Sequence, residues 1–252
     1  MCKPGQAGRS NPKYMMLCSG DTGLSSGVAN PVCMLVAKPA PAACVPMVKI
    51  LHAEAASVAP CIKALRAGKA IIYPTETVYG LGVDALNEEA VNRLYEIKAR
   101  DPQKPISIAI TELDAAKNFA EITAAAKKLS QKFLPGPLTI VLKLKVRMPW
   151  LTSNGKIGIR VPANDFALNL LKNFGKPITA TSANISGMVS ASSPSQVDMR
   201  LVQQVAIFVD DSKTQYGQAS TVVDASGSKL KVLREGAVSR EAIENVLNTK
   251  IE

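Results

Sequence analysis

Residues 73–82 read Tyr-Pro-Thr-Glu-Thr-Val-Tyr-Gly-Leu-Gly. The apolar run over 70–73 predicts a short buried strand, which ends at Pro74 because proline has no N–H for a strand ladder. Two threonines and a tyrosine then precede a Gly-x-Gly. Hydroxyl groups and free backbone N–H groups at a strand end can hold a small polar ligand or a phosphate. A tight turn between two strands is the alternative interpretation, and a P-loop is disfavoured because Gly-Lys-Ser/Thr is missing.

Predicted helices and strands alternate on both sides of this stretch. Apolar residues at helical spacing predict helices over 57–67, 88–99, 123–133 and 165–173, with Ser57 capping the first and Ser239 capping a final helix. Short apolar runs predict strands over 48–51, 70–73, 106–110, 138–144, 157–161, 177–181, 206–209, 221–224 and 231–233. This alternation predicts an α/β fold with a mixed sheet and flanking helices.

A second polar segment, Lys98-Ala-Arg100, lies at the predicted end of the helix over 88–99. Residues two apart point to different sides of a helix, so the helix must end here if both cations are to reach one ligand. Pro102 favours an extended exit, from which Lys98, Arg100 and Lys104 could converge on one anion. The alternative is a solvated helix C-terminus, where basic residues are expected.

A third segment, residues 177–187, reads Pro-Ile-Thr-Ala-Thr-Ser-Ala-Asn-Ile-Ser-Gly. The predicted strand runs directly into a cluster of hydroxyl groups and the amide of Asn184. Ligand loops of α/β sheets lie at strand ends. Ser182 and Asn184 offer both donors and acceptors, which suit phosphate and ribose oxygens. We therefore favour a ligand loop over the alternative of an Asn/Ser turn.

Two further strands carry an arginine near their ends. Lys156, Gly158 and Arg160 alternate along one strand and so share one of its faces. Leu233-Arg234-Glu-Gly236 has the same form at another strand end. An arginine in such a place can hold a carboxylate through two parallel hydrogen bonds. Either arginine could equally belong to a surface ion pair.

Composition limits the class of protein. The formal net charge of +10 indicates an anionic partner, such as a nucleotide, an RNA or a membrane surface, or simply a well-solvated surface. No run reaches the roughly 20 apolar residues of a membrane helix, so we expect no membrane association. The single histidine disfavours a zinc site and a hydrolytic triad. The five irregularly spaced cysteines argue against a disulfide framework and for a reducing, cytoplasmic setting.

Residues 1–46 differ in composition from residues 47–252, the expected catalytic domain. They are rich in glycine, proline, serine and alanine and show no helical or alternating period. We expect them to be a disordered extension, with a secretory signal as a less favoured alternative. A third interpretation is that translation starts at Met47, which opens a sensible strand, so that residues 1–46 are not native.

Six segments taken together resemble the YrdC/TsaC-like threonylcarbamoyl-adenylate synthase family. They are Pro74–Gly82, Lys98-x-Arg100, Pro135–Thr139, Ile159–Pro162, Ser182–Gly187 and Ser220–Asp224. They occur in the family's order within about residues 62–248, and such an ordered set is far more specific than one motif. The resemblance implies the short form of the family, a single α/β domain with a twisted mixed sheet and a basic concave cleft.

The resemblance also implies an activity. L-threonine, bicarbonate or CO2, and ATP with Mg²⁺ would give threonylcarbamoyl-adenylate and pyrophosphate, which makes the chain a nucleotidyltransferase. The product would pass to a threonylcarbamoyl-transferase complex that modifies tRNA. The implied catalytic residues are Lys98, Arg100, Ser182 and Asn184. The implied threonine-binding residues are Thr77, Arg160, Ala180 and Ser220. The implied ATP-binding residues are Arg100, Lys104, Lys156, Ser182, Ser190 and Arg234, and no side chain is assigned to the metal.

Two positions depart from the family's pattern. Ala109 stands where many relatives carry histidine, and Lys156 stands where many carry a small hydroxyl residue; both could alter affinity. The alternatives are a protein of the same fold that binds double-stranded RNA or tRNA without catalysis, and a paralogue with another substrate. A carbamoyl-transfer module like that of hydrogenase-maturation proteins is disfavoured, because those carry additional zinc-binding and acyl-phosphatase segments that this sequence lacks.

Overall fold

Strands and helices alternate along residues 48–251, the part of the chain that this computed structural model describes. The predicted α/β class with mixed sheets and flanking helices is confirmed. Our prediction for residues 1–46 lies outside the described residues. None of the described helices is long and apolar enough to cross a membrane.

The helices and strands have the following bounds. The helices are Val58–Arg66 (α1), Glu88–Ile97 (α2), Ala124–Phe133 (α3), Asp165–Phe174 (α4), Met199–Val202 (α5) and Arg240–Leu247 (α6). The first strands are Lys49–His52 (β1), Ile71–Tyr73 (β2), Gly80–Gly82 (β3), Ile108–Ala109 (β4), Leu138–Lys143 (β5) and Lys156–Arg160 (β6). The others are Ile178–Thr179 (β7), Thr181–Ser182 (β8), Ile207–Asp210 (β9), Thr221–Asp224 (β10) and Lys231–Arg234 (β11).

These strands form two mixed sheets rather than one. The five-stranded sheet has the order β1-β9-β2-β3-β8, and the six-stranded sheet has the order β11-β10-β5-β6-β4-β7. In the first sheet β1, β9 and β2 run parallel, and β3 and β8 add antiparallel pairs. In the second sheet β10 and β5 run parallel, as do β4 and β6, while the remaining pairs are antiparallel.

The predicted strand over 177–181 is the point where the chain crosses from one sheet to the other. Its first half, β7, pairs with β4, and its second half, β8, pairs with β3. Ala180 lies between them, and its backbone N–H donates to the carbonyl of Ser107 at 2.7 Å. The hydroxyl of Thr179 meanwhile accepts from the backbone N–H of Val83 at 3.0 Å. This crossing delivers Ser182 to the junction of the two sheets.

The helix ends follow local capping chemistry with one exception. The prediction that Ser239 caps the final helix is confirmed, and side chains also accept N-cap hydrogen bonds at Asn87, Thr123 and Asn164. Our prediction that Ser57 caps the first helix was wrong, because its side chain makes no cap hydrogen bond. A short 3-10 turn, Ala55–Ser57, precedes that helix and leaves Ser57 itself in a helical conformation, with φ of −80° and ψ of −13°.

Two apolar clusters support the sheets. In the smaller one, α1 and α4 cover one side of β2 and β9, and its fully buried members include Cys61, Leu65, Leu170 and Val209. The larger one contains residues of both sheets together with α2, α3 and α6. Because interiors pack at near-crystalline density, the shared larger cluster fixes the sheets against each other.

The two glycines of β3 are required by close packing and not by an unusual backbone conformation. A Cβ on Gly82 would lie 2.7 Å from Cγ2 of Ile178 and 2.8 Å from Cε1 of Tyr73. A Cβ on Gly80 would lie 2.9 Å from the ring of Tyr73. The Gly-x-Gly therefore lets β3 lie against the buried Tyr73 and against the sheet crossing.

We expect Gly82→Ala to lower the free energy of unfolding by about 1–3 kcal/mol, because the new methyl group overpacks a buried contact. The matched control is Gly227→Ala, where an added Cβ meets nothing within 4 Å and a change within about 0.5 kcal/mol is expected. Urea unfolding of both variants measures the difference. Equal stability of the two variants would contradict this account of β3.

Candidate active site

A cavity of about 470 Å³ lies where the two sheets meet. This volume is typical of sites for small molecules. Its lining comes from β2, β3 and β8 of the five-stranded sheet and from β4, β5, β6, β10 and β11 of the six-stranded sheet. The loop over 74–79 joins β2 to β3 and also lines the cavity through Thr75, Val78 and Tyr79. Residues 73–82 thus contain both a turn between strands and part of the cavity wall.

The structure sorts the twelve residues assigned from the sequence into two sets. Seven line the cavity: Arg100, Lys156, Arg160, Ala180, Ser182, Ser220 and Arg234. The other five do not line it: Thr77, Lys98, Lys104, Asn184 and Ser190. Thr77, Lys98 and Asn184 are buried behind the lining, Lys104 is exposed, and Ser190 is half-buried. Of the three cations around residue 100, only Arg100 reaches the cavity.

Arg160 ends β6 with its guanidinium held by the loop over 74–79. Its Nη2 donates to the hydroxyl of Thr77 and lies 3.5 Å from the hydroxyl of Thr75. The side chain of Arg160 also lines the cavity. Thr77 is itself fully buried and does not line the cavity, so its contact with the site in this structure is the hydrogen bond from Arg160.

Glu76 is a charged neighbour of this site that sequence reasoning missed. Its carboxylate is 1 % exposed, and Oε1 lies 3.0 Å from Nη2 of Arg160. This contact is an ion pair without hydrogen-bond geometry. Within residues 48–251, both carboxylate oxygens of Glu76 lack a hydrogen-bond partner, as does Nε of Arg160. Glu76 lies in sequence between Thr75 and Thr77, and in the structure all three side chains contact Nη2 of Arg160.

Lys98 holds the ligand loop from behind. Its Nζ donates to the backbone carbonyls of Ser182 and, at 2.7 Å, of Asn184. The carbonyl of Lys98 in turn accepts from the backbone N–H of Ser186 at 2.9 Å. Burial, and secondarily the charge of Arg100, lowers the pKa of Lys98 to about 7. The helix ends at Ile97, as this geometry requires, and Ala99 turns the chain with φ of +46°.

Ser182 presents its hydroxyl to the cavity on a loop fixed by Asn184. The hydroxyl of Ser182 donates to Oδ1 of Asn184. The amide nitrogen of Asn184 donates to the carbonyls of Ile185 at 3.0 Å and Met188 at 2.6 Å. The hydrogen bonds of Asn184 thus fix the shape of the loop that carries Ser182.

Three guanidinium groups converge on the cavity. Arg100 donates to the carbonyls of Pro105 at 2.9 Å and Lys104 at 3.3 Å, so Lys104 contributes its backbone to this site. Arg234 donates to the carbonyl of Ser220 at 2.8 Å. Burial lowers the pKa of Arg234, and the charges of Arg160 and Arg100 lower it further. Such a concentration of positive charge in a concave site attracts anions.

One cation of the cavity is already paired. Nζ of Lys156 lies 2.8 Å from Oδ2 of Asp224, whose Oδ1 accepts from the hydroxyl of Ser226 at 2.6 Å. Burial acts to raise the pKa of Asp224, but the hydrogen bonds from Lys156 and Ser226 outweigh it and hold the pKa below its ordinary value. Within the described residues, no cluster of three histidine, cysteine or acidic side chains could hold a metal ion.

The sequence matches known proteins over most of the described region. The family model Sua5/YciO/YrdC, described as "Telomere recombination", matches residues 63–236. A putative threonylcarbamoyl-AMP synthase of Methanocaldococcus jannaschii is 38% identical over 171 residues, covering 68% of this chain and 81% of that protein. A threonylcarbamoyl-AMP synthase of Pyrococcus abyssi is 38% identical over 186 residues, covering 73% of this chain. This chain spans only 55% of the Pyrococcus protein's length.

A solved structure shares the fold as well as the sequence similarity. The crystal structure of P. abyssi Sua5 complexed with L-threonine superposes with a TM-score of 0.77 at 34% identity. The match covers 82% of this chain and 62% of that chain.

Replacing Lys98 should change how stability depends on pH. The pKa of Lys98 falls from 10.5 to about 7 on folding. Between these values the unfolded chain binds more protons than the folded chain, so this residue makes the free energy of unfolding rise with pH. We expect a rise of about 1–2 kcal/mol between pH 7 and pH 8.5 in the wild type that Lys98→Met lacks.

Urea unfolding of both proteins at the two pH values measures this difference. The upper limit of pH 8.5 stays below the ordinary thiol pKa of 9.0, which burial raises to about 12 in Cys61. All other groups titrate alike in both proteins, so the difference isolates Lys98. An identical rise in the variant would show that Lys98 is not the group responsible.

Proposed function

We propose, from the premise that this chain belongs to the Sua5/YciO/YrdC family, that it is a threonylcarbamoyl-AMP synthase. It would act as a nucleotidyltransferase that forms threonylcarbamoyl-AMP and pyrophosphate from L-threonine, bicarbonate or CO2, and ATP. The observation that carries the proposal is the convergence of Arg100, Arg160 and Arg234 on one cavity at the junction of the sheets.

The reaction requires such a concentration of cations. The neutral amine of threonine attacks CO2 and loses a proton, which gives a carbamate anion. A carbamate oxygen then attacks the α-phosphorus of ATP, and the bond from that phosphorus to pyrophosphate breaks. Two anions must therefore approach each other, which fixed positive charge in a site of low dielectric constant makes favourable. No covalent bond to the protein is needed, because positioning and charge stabilisation suffice.

We assign the lining residues to two substrates, with the boundary at Ser220, whose carbonyl accepts from Arg234. Arg160, with Ala180 and Ser220 also in the lining, would bind threonine, and its guanidinium would hold the threonine carboxylate. Arg100, Ser182 and Arg234 would bind the phosphates of ATP. Lys156 lines the cavity too, but its pairing with Asp224 must weaken before it can contact a phosphate.

The residues behind the lining would position those that touch substrate. Lys98 and Asn184 would fix the loop that carries Ser182, and Thr77 would fix Arg160. Lys104 and Ser190 could reach ATP only if it extends beyond the cavity, since neither lines it. In this proposal Lys98 acts through Ser182 and not by contact with substrate.

Mg²⁺ would arrive with ATP as part of the substrate. Protein sites for this ion usually supply one or two carboxylates and leave the other positions to water and substrate phosphates. The acidic side chain in the cavity lining is Asp224, and it is engaged by Lys156. The described residues therefore fit an ion carried by the phosphates better than one caged by the protein.

We propose further that the product passes to a threonylcarbamoyl-transferase complex acting on tRNA, in a cytoplasmic setting. Threonylcarbamoyl-AMP is a mixed anhydride of a carbamate and a phosphate, so it needs an acceptor close at hand. The net charge of +10 is compatible with a direct contact to tRNA.

The test is pyrophosphate release by the purified full chain. We expect release from ATP and Mg²⁺ only when both L-threonine and bicarbonate are present, because the carbamate is the nucleophile. Product mass spectrometry then identifies threonylcarbamoyl-AMP. Release without threonine or bicarbonate, or no release in any mixture, would overturn the proposed function and favour the paralogue or the RNA-binding alternative.

Variants of Arg160 and Arg234 should raise the KM values of different substrates in steady-state kinetics. Arg160→Gln is expected to raise KM for threonine about tenfold or more, since a charge-assisted hydrogen bond contributes roughly 1.5–3 kcal/mol. Arg234→Gln should instead raise KM for ATP. Arg93→Gln, which removes an exposed arginine paired with Glu96, is the control and should match the wild type. An equal effect of both cavity variants on both substrates would contradict this assignment.

A further inference from the structure

Glu76 carries a buried negative charge that the proposed chemistry leaves without a role. Its carboxylate is 1 % exposed, and neither oxygen has a hydrogen-bond donor within residues 48–251. A buried carboxylate is costly unless a nearby cation compensates it. Arg160 is that cation at 3.0 Å. Glu76 does not line the cavity, so it can influence a ligand only through its charge and through Arg160.

The backbone keeps this carboxylate in place. The carbonyl of Glu76 accepts from the backbone N–H of Tyr216 at 2.9 Å, and the carbonyl of Thr77 accepts from the hydroxyl of Thr214 at 2.8 Å. The carboxylate therefore stays beside Arg160 as a fixed feature of the loop.

The arginines of the cavity consequently differ in how far their charge is compensated. The charges of Arg160 and Glu76 sum to zero. Arg100 and Arg234 have no carboxylate within 4 Å among the described residues, so their positive charges are not compensated by an ion pair. The remaining cation of the lining, Lys156, is neutralised by Asp224.

The compensated arginine and the two uncompensated ones suit different substrates. A free amino acid at neutral pH is a zwitterion with no net charge, whereas a phosphate chain carries several negative charges. The neutral pair of Arg160 and Glu76 can bind a zwitterion, but it contributes little electrostatic attraction to a polyanion. An uncompensated Arg160 would attract phosphate as strongly as Arg100 and Arg234 do, and the three arginines would then bind a phosphate chain indiscriminately.

We propose that Glu76 is a specificity-determining residue that reserves Arg160 for a zwitterionic amino acid by excluding phosphate from it. The inference rests on the proposed function, since it takes Arg160 as the anchor of the threonine carboxylate. Glu76 acts from behind the lining and touches neither substrate.

Calorimetric titration of the full chain with L-threonine, with and without saturating pyrophosphate, tests this proposal. In the wild type, pyrophosphate should bind Arg100 and Arg234 and leave the Kd for threonine within about twofold. In Glu76→Gln, pyrophosphate should also bind Arg160 and raise the apparent Kd for threonine about tenfold or more, since one unit charge a few ångströms away has an effect of this size.

Two controls separate charge from shape. Glu76→Asp keeps the charge and should keep the wild-type pattern. Glu96→Gln removes an exposed carboxylate of α2 and should also behave as the wild type. A folded Glu76→Gln with the wild-type pattern would overturn the inference and leave the proposed function intact. A wild type that binds no threonine at all would overturn the proposed function and this inference with it.

A second measurement uses only the wild type and can be made even if Glu76→Gln fails to fold. The probe is 3-hydroxybutyrate, which is threonine without its amino group and therefore a net anion of smaller size. The wild type should bind it at least about tenfold more weakly than L-threonine, because Glu76 opposes an anion that lacks an ammonium group. Equal affinity of the wild type for the two compounds would overturn the inference.

Discussion

The hydrogen bonds from the buried amine of Lys98 to two backbone carbonyls join the end of α2 to the loop that carries Ser182, and the cavity depends on both. The backbone of Lys98 ends α2, and the chain then turns at Ala99 to reach Arg100. The side-chain amine of Lys98 binds the loop that carries Ser182. An amine is stable in such a place only while its acceptors remain. The guanidinium of Arg100 and the hydroxyl of Ser182 are therefore fixed relative to each other before a ligand binds, which is how preorganised sites reduce the cost of reaction.

Like charges held close together are the second constraint. Arg100, Arg160 and Arg234 lie near enough for their charges to lower the pKa of Arg234, and only Arg160 has a carboxylate beside it in the described part of the chain. The strands and the backbone carbonyls that accept from these arginines keep them in place. An anionic ligand relieves this repulsion, so binding should stabilise the folded protein as well as fill the cavity.

The sequence was most informative where one local pattern decided the outcome. Apolar periodicity and capping residues located five of the six described helices and most strands, but not the four-residue α5. The Lys98-x-Arg100 spacing correctly required α2 to end. The sequence could not show that residues 177–182 serve two sheets, because both halves look like one apolar strand. Nor could it separate Arg100, which faces the cavity, from Lys98 behind it and Lys104 outside it. Glu76 escaped notice because its meaning depends on Arg160, 84 positions later in the chain and adjacent only after folding.

The crossing at Ala180 restricts how this chain can vary in length. Residues 178–182 belong to two sheets with only one residue between the paired segments. An insertion or deletion there would shift the pairing of β7 with β4 or of β8 with β3 by one residue, and a one-residue slip turns every side chain to the opposite face. Ser182 would then leave the cavity while the rest of the sheet was unchanged. Relatives that keep this site should consequently tolerate gaps in their surface loops but not between these two strands.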